Sequence, residues 1–329
     1  MLTSQWIICR VRMANNTAGL RIGAFLLLLL AGPVVHAQFD STFVETFTSR
    51  TRVNGGLRYR DNSASFLVGE QETLNLSNRG LALRLGGRYK WIGYTFSIPV
   101  SDLGTDSEFG NAQSLGLNLQ FYRDKFYLNA NARRTTGFEQ QRLNEEITFR
   151  EDIRFTNVLV FGFRVLNSKH FSLGSSFRQH SRQLKSTGSL LLGGAINRQV
   201  LLTDSLTLPF NQMGEVVIDR YAQTKVTAGL GYAHTFIFAR SFFFTPLAVA
   251  GPEIRFITYD PLAADREIER NRVSIRVRGR IAFGYNGRHN YTAVTAAYLP
   301  SIDNTENLDT RVFETRIELT IGHRFNVPD

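Results

Sequence analysis

Arginines and lysines recur at every second position in several stretches of this chain, and that spacing is the pattern most able to do chemistry. On an extended strand successive side chains point to opposite faces, so alternation gathers like residues onto one face. Arg58, Arg84, Arg88, Arg164, Arg178, Arg276, Arg278, Arg280, Arg316 and Arg324 fall together in this register, with Arg60, Lys125, Arg133, Arg154 and Lys225. The acids sharing that face are chiefly Glu314 and Glu318. A low-dielectric wall lined by one sign of charge concentrates small anionic solutes, and rings of arginine or lysine select for them. The same residues have a second reading, in which the arginines pair with Glu314, Glu318 and loop acids and lock the interior shut.

Other constellations carry less. His170-Phe171-Ser172 places an imidazole and a hydroxyl on one face of a strand, as in outer-membrane phospholipases. No Asn or Asp is placed to orient that imidazole, and the pair lies on the wrong side for outer-leaflet lipid, so no catalytic residue is assigned. His180-Ser181, being adjacent, would point to opposite faces. The apolar run Gly188–Gly194 reads as a hairpin tip packed on the fold, or as a partner-contact patch; it lacks the lysine and helix of a phosphate loop. The six histidines are scattered and acids do not cluster at ligand spacing, so no metal site or cofactor is expected. Inward arginines also make nucleic acid an unsuitable partner.

The elements that hold these side chains alternate apolar and polar. In the final stretch Phe313, Thr315, Ile317, Leu319, Ile321 and Phe325 oppose Glu314, Arg316, Glu318 and Arg324. Val273, Ile275, Val277, Ile281 and Phe283 oppose Arg272, Arg276, Arg278 and Arg280, and Leu81, Leu83, Leu85 and Tyr89 oppose Arg84, Arg88 and Lys90. The spans predicted as strands are 51–60, 80–90, 91–98, 112–123, 125–134, 153–166, 168–180, 222–238, 240–257, 271–285, 288–299 and 311–325. Strands of about ten residues suit the hydrocarbon layer better than a soluble sandwich. The sequence therefore predicts an all-β fold: a transmembrane antiparallel up-and-down β-barrel of about twelve strands.

Short turns are expected at Lys90-Trp91, Arg123-Asp124, Asn167-Ser168-Lys169, Ala239-Arg240 and Asn286-Gly287, the last having the strongest hairpin signal. Long connectors are expected near 61–79, 99–112, 135–152, 181–221, 258–271 and 300–310, with the 181–221 connector available to fold inward. Outer-membrane barrels keep short turns in the periplasm, and an even strand number puts both termini there. Tyr89, Trp91, Phe121, Phe126, Phe238, Phe242, Tyr285, Tyr291 and Phe325 crowd the short turns as an aromatic girdle. Segment 240–257, apolar on both faces and carrying Pro246 and Pro252, fits a strand least well.

The chain has 329 residues, a formal charge of +10 and one cysteine, Cys9. Arg10, Arg12 and Arg21 precede an apolar run ending in Val35-His36-Ala37, which reads as a signal peptide over 1–37. Residues 38–50 would then be a short periplasmic segment and 51–329 the barrel. Cleavage removes three arginines and no acid, lowering the charge from +10 to +7, and leaves no thiol. Mean hydropathy is −0.15, and nothing in the mature chain reads as a membrane helix. An exported membrane protein must then cross with strands of a closed barrel. Outer-membrane lipids and, through the near-terminal Phe325, the barrel-assembly machinery are the expected partners. The porin-like reading is a narrow anion-favouring channel with a basic lumen; the alternative is a plugged structural or binding barrel acting through its external loops.

Several strings are similar to the uncharacterised outer-membrane family catalogued as domain of unknown function 4421. They are Gly56-Leu-Arg-Tyr-Arg60, Leu85-Gly-Gly-Arg-Tyr-Lys-Trp-Ile-Gly93, Leu115-Gly-Leu-Asn-Leu119, Ser186-Thr-Gly-Ser-Leu-Leu-Leu-Gly-Gly194 and Phe283-Gly-Tyr-Asn-Gly287. The resemblance covers nearly the whole mature chain and implies a barrel. It implies no established activity and no catalytic residues.

Overall fold

The computed structural model describes residues 39–325, except 48–50, 69–70, 90–91, 101–112, 123–124, 211–213, 263–267 and 304–308. Alternating sequence produces long antiparallel strands: β1 Val44–Thr46, β2 Thr51–Val68, β3 Gln71–Tyr89, β4 Ile92–Pro99, β5 Gln113–Tyr122, β6 Phe126–Arg142 and β7 Thr148–Val165. After a five-residue helix, α1 Leu173–Phe177, come β8 Ser181–Gln183, β9 Thr187–Phe210, β10 Gly214–Phe238, β11 Phe242–Pro261, β12 Ile268–Asn286, β13 Asn290–Asp303 and β14 Asp309–Arg324. Twelve of these strands close a barrel in the order β2-β3-β4-β5-β6-β7-β9-β10-β11-β12-β13-β14, with β14 returning to β2. β1 and β8 form a separate two-stranded sheet.

Which face is exposed settles the solvent. Val273 and Ile275 are 76% and 80% accessible, and Leu57, Leu85, Phe96, Leu115, Leu190, Leu230, Ile317 and Ile321 are exposed on the same outer surface. A soluble sandwich buries its apolar face against a second sheet. Here the apolar face is the outside of one closed cylinder, as a lipid-facing wall requires. Among the described residues no helix is long and apolar enough to cross a membrane; the crossing is made by strands.

The strand total of twelve agrees with the sequence, but one member of the set differs. Segment 168–180 is not a strand: it holds a turn, α1 and the approach to β8. The expected 181–221 connector instead contains β8, the whole of β9 and the start of β10. Gly188–Gly194 is accordingly the first part of a wall strand, not a hairpin tip, with Leu190 and Leu192 exposed and Leu191 buried. Most other long connectors prove to be strand extensions. β2 runs to Val68 and β3 starts at Gln71, while β6 and β7 leave only 143–147 between them.

The turns also differ in detail. Ala239 and Arg240 both adopt positive φ, 48° and 64°, and form the tight turn between β10 and β11. Asn286 closes β12 instead of crowning a two-residue hairpin, and its side chain is buried. Lys90-Trp91 and Arg123-Asp124 lie outside the described residues.

Two local features shape the wall. β4 and β5 are short, and beyond them Leu74–Ser77 of β3 pairs directly with Glu139–Arg142 of β6. Pro246 and Pro252 of β11 sit where its ladder with β10 lapses: pairing skips from Thr227–Glu253 to Leu230–Ala250, and from Ala233–Leu247 to Phe236–Phe244. Proline has no N–H to give, yet pairing with β12 continues through both. At the first lapse a Cβ on Gly251 would lie 1.9 Å from the carbonyl oxygen of Ala228, so only glycine permits that approach.

Candidate functional site: the barrel interior

Along β2 and β11 three kinds of inward residue follow in order. From the end that carries the chain termini, β2 presents Arg52, then Arg58 and Arg60, then Phe66; β11 presents Phe243 and Leu247, then Glu253 and Arg255, then Ile257 and Tyr259. The interior is therefore layered into a plug, an ionic belt and an apolar chamber.

The plug is the 166–186 segment, folded into the barrel from the terminus end. Phe171, Leu173 and Phe177 pack against Tyr127, Val165, Leu191, Ala233, Phe243 and Leu247 of the wall. That explains why β11 is apolar on both faces: one meets lipid, the other meets α1. The backbone of this irregular segment is satisfied by the wall. Arg324 donates to the Gln179 carbonyl, Arg52 to that of Arg178, and Arg88 to that of His180. Asn286 Nδ2 donates to the Ser175 and Ser181 carbonyls, both at 2.9 Å. Ser176, Thr235 and Thr245 share a hydroxyl cluster, with Thr245 Oγ1 donating to Ser176 Oγ at 2.7 Å. Residues 39–47 complete the closure. β1 pairs with β8, Glu45 meets Arg182 at 2.6 Å and Arg288 at 3.2 Å, and Phe47 stacks on the Arg324 guanidinium. Residues 39–47, from the stretch expected as a short N-terminal segment, are thus built into the plug.

Within the plug, Gly174 lies against the His180 ring; a Cβ there would come within 1.8 Å of it. Burial first, then the nearby Arg88, Arg52 and Arg324 charges, hold the His180 imidazole down to about 3.

The ionic belt has three carboxylates among its described residues. Glu318 receives Arg58 Nε at 2.7 Å and Arg84 Nη1 at 2.8 Å, with Arg316 at 3.5 Å. Glu253, fully buried, takes Arg255 at 2.8 Å and Arg276 at 3.6 Å. Glu314 stands 3.5 Å from Arg60 and 3.9 Å from Arg133. Arg278, Arg280 and Lys225 add further positive charge at this level. Several buried guanidinium nitrogens have no hydrogen-bond partner, among them Nε of Arg60, Arg133, Arg278 and Arg280 and both Nε and Nη1 of Arg276.

The sequence's inward set divides three ways. Arg58, Arg84, Arg88, Arg276, Arg278, Arg280, Arg316 and Arg324 come from wall strands, and Glu314 and Glu318 lie among them. Arg178 reaches the interior from the plug, at the C-terminus of α1, not from a strand. Arg164 is a correction: the inward residues of β7 are Ile153, Asn157 and Val165, so Arg164 and Arg154 are exposed on the outer face, Arg164 beside the Phe126 ring. Tyr291 is another. It is 1% accessible and turned inward, between Arg52 and Arg324, so it leaves the aromatic girdle, whereas Tyr89, Phe238, Phe242, Tyr285 and Phe325 remain exposed.

Sequence reasoning missed Arg52, Glu253 and Arg255. The signal for the β11 pair was odd-numbered parity through Phe243, Thr245 and Leu247, obscured because that face is apolar where it meets the plug. His170 and Ser172 do not form a pair. His170 Nδ1 meets Asn167 Oδ1 at 3.1 Å and its Nε2 lies 3.6 Å from Asp40, while Ser172 Oγ bonds Ser181 Oγ at 2.7 Å. Among the described residues no group of three or more His, Cys, Asp or Glu could hold a metal ion.

Residues 38–325 match the family described as Domain of unknown function (DUF4421). The chain belongs to this family. No curated protein matches it. Similar solved structures include the outer membrane protease OmpT from Escherichia coli, at 8% identity and TM-score 0.40, covering 85% of this chain and 98% of that one. The translocator domain of the autotransporter NalP from Neisseria meningitidis aligns at 14% identity and TM-score 0.38, covering 94% and 96%. An outer membrane channel from Pseudomonas putida F1 aligns at 11% identity and TM-score 0.34, covering 85% and 97%. In this DUF4421 barrel, the string Gly56–Arg60 puts Arg58 and Arg60 inside and Leu57 and Tyr59 outside. Gly86 and Gly87 of the second string lie beneath Tyr94 of β4, with no room for a Cβ.

Proposed function

We propose that this outer-membrane barrel works as a plugged binding barrel: closed at the terminus end, basic in its lumen, and receptive from the opposite mouth. The observation that carries this is the fixing of the 175–181 backbone by Arg52, Arg88, Asn286 and Arg324, four wall side chains from four strands. Irregular backbone is tolerated at membrane depth where protein satisfies it. With both termini periplasmic, the plug seals the periplasmic side, outer-membrane lipids surround the apolar wall, and the exposed Phe325 remains available to the barrel-assembly machinery. An anion-favouring channel is the second reading, supported by the excess of guanidinium over carboxylate in the belt; it requires the plug to move. His170 and Ser172, each bonded elsewhere, give no support to lipid hydrolysis.

Planar bilayers test the reading. The wild-type protein is expected to be electrically silent, and replacing residues 170–183 by a short Gly-Ser connector to open an anion-preferring conductance. Arg276→Glu with Arg278→Glu should reduce that preference. Steady conductance by the wild type would overturn the plugged reading in favour of the channel.

A further inference from the structure

Beyond the ionic belt the barrel holds a chamber of about 950 Å³, counting the part open to solvent. Its lining has the composition of small-molecule sites, which are mostly apolar with a few placed polar groups. Phe66, Leu76, Phe138, Leu201, Leu208 and Tyr259 form its apolar wall and belong to one buried cluster at the far end of the strands. Its opposite side is polar, with Arg133, Gln199, Gln223 and Glu314. Arg133 is 94% buried by its 6% accessibility, and its Nε has no hydrogen-bond partner. A second cavity, lined by Arg58, Arg60, Gly80 and Pro99, meets the first at the same Arg133.

We propose that this chamber binds a single-chain amphiphile, its anionic head (a carboxylate or a phosphate) against Arg133 and its tail among Phe66, Leu76, Phe138 and Leu208. Three observations converge on that chemistry. A buried guanidinium lacking a full set of acceptors calls for an oxyanion, which supplies strong charge-assisted bonds. Glu314 does not fill that role, since at 3.5 and 3.9 Å it lies beyond hydrogen-bond distance of Arg60 and Arg133. A small inorganic anion would satisfy the arginine but leave the apolar wall without a partner, so the ligand needs a tail. The inference rests on the plugged-barrel reading only in taking the chamber to be entered from the mouth opposite the plug.

The test uses purified protein in nanodiscs of zwitterionic lipid, titrated with dodecanoate, dodecanol and inorganic phosphate by calorimetry, with empty nanodiscs as the blank. Saturable one-to-one dodecanoate binding is expected, about tenfold or more weaker in Arg133→Gln and partly restored in Arg133→Lys. Leu76→Trp, which fills the chamber, should abolish it. Heat-modifiable migration on gels confirms that each variant is folded, and the comparison with dodecanol needs no variant. Equal affinity for dodecanol overturns recognition of the head. Phosphate binding as tightly as dodecanoate, and unaffected by Leu76→Trp, overturns the role of the tail. No dodecanoate binding by folded wild type overturns the site altogether. Failure of the plug shows separately, as wild-type conductance.

Discussion

The two ends of the lumen handle buried polar groups in opposite ways. At the terminus end, Arg324 alone donates to the carbonyls of Gly287, Arg288 and Gln179 and to Asn286 Oδ1, and is sandwiched between Phe47 and Tyr291. Towards the other end, Arg60 and Arg133 keep buried nitrogens without a hydrogen bond, beside open space. A buried cation whose two terminal nitrogens are both bonded to the protein, as those of Arg324 are although its Nε is not, fixes structure, whereas one with unmet donors beside a cavity is available to a ligand. The same residue type thus serves closure at one end and recognition at the other.

Several substitutions break or sharpen that contrast. The largest effect is expected from Glu318→Gln, which strips the shared carboxylate from Arg58, Arg84 and Arg316. Removing one partner of a buried pair costs roughly 3–5 kcal/mol. The unfolding midpoint in urea should fall accordingly; an unchanged midpoint would show that the belt does not depend on this carboxylate. Next comes Arg324→Ala, which leaves four acceptors without their donor. It should cost about 2–4 kcal/mol and expose the plug to trypsin at Arg178, Arg182 and Lys185 while the barrel stays folded. A trypsin-resistant plug in that variant would refute the role given to Arg324.

Gly174→Val, driven into the His180 ring, should loosen the plug by about 1–3 kcal/mol, seen as the same cleavage. Acidification acts on the same contact. His180 is held near 3 in the fold against an ordinary value of about 6.5. Between those limits the unfolded or released segment binds the proton and the docked one does not, so plug stability is complete above about pH 6.5 and declines as pH falls towards 3. Bilayer recordings should therefore show more openings at pH 4.5 than at pH 7.5, and the reverse order would sink the assignment. The smallest effect belongs to Arg278→Met. Its Nε has no partner and no hydrogen bond ties it to the plug, so stability should be unchanged within about 1 kcal/mol.

Much of the wall was legible because alternation has a period of two wherever one face meets lipid. Val273, Ile275 and Val277 against Arg276, Arg278 and Arg280 read correctly for that reason, and so did the twelve-fold closure and the turn at Ala239-Arg240. Legibility failed where a second layer intervenes. Around 168–180 the side chains alternate well enough to imitate a strand, yet Phe171, Leu173 and Phe177 are buried against the inner wall, not against lipid. The strand that replaces it, β9, was hidden because Gly188, Gly193 and Gly194 look like turn residues, although in the wall Gly188 and Gly193 allow close packing against Tyr232 and Phe163. Arg164 went astray for a smaller reason: an error of one position in the register of β7 reverses every side chain.

The sequence alone determined a closed β-barrel with its greasy side outward, because only that arrangement bonds every strand amide while giving each alternate residue a suitable solvent. It also determined that arginines would crowd the other side. Tertiary structure decided which of them are tied to carboxylates, which hold the plug, and which border the chamber. Those outcomes depend on pairings between residues far apart in the chain, Arg58 with Glu318 across the β2–β14 seam and Arg324 with Gln179 between wall and plug. No local period encodes such a distance, since it is fixed only when the last strand closes on the first.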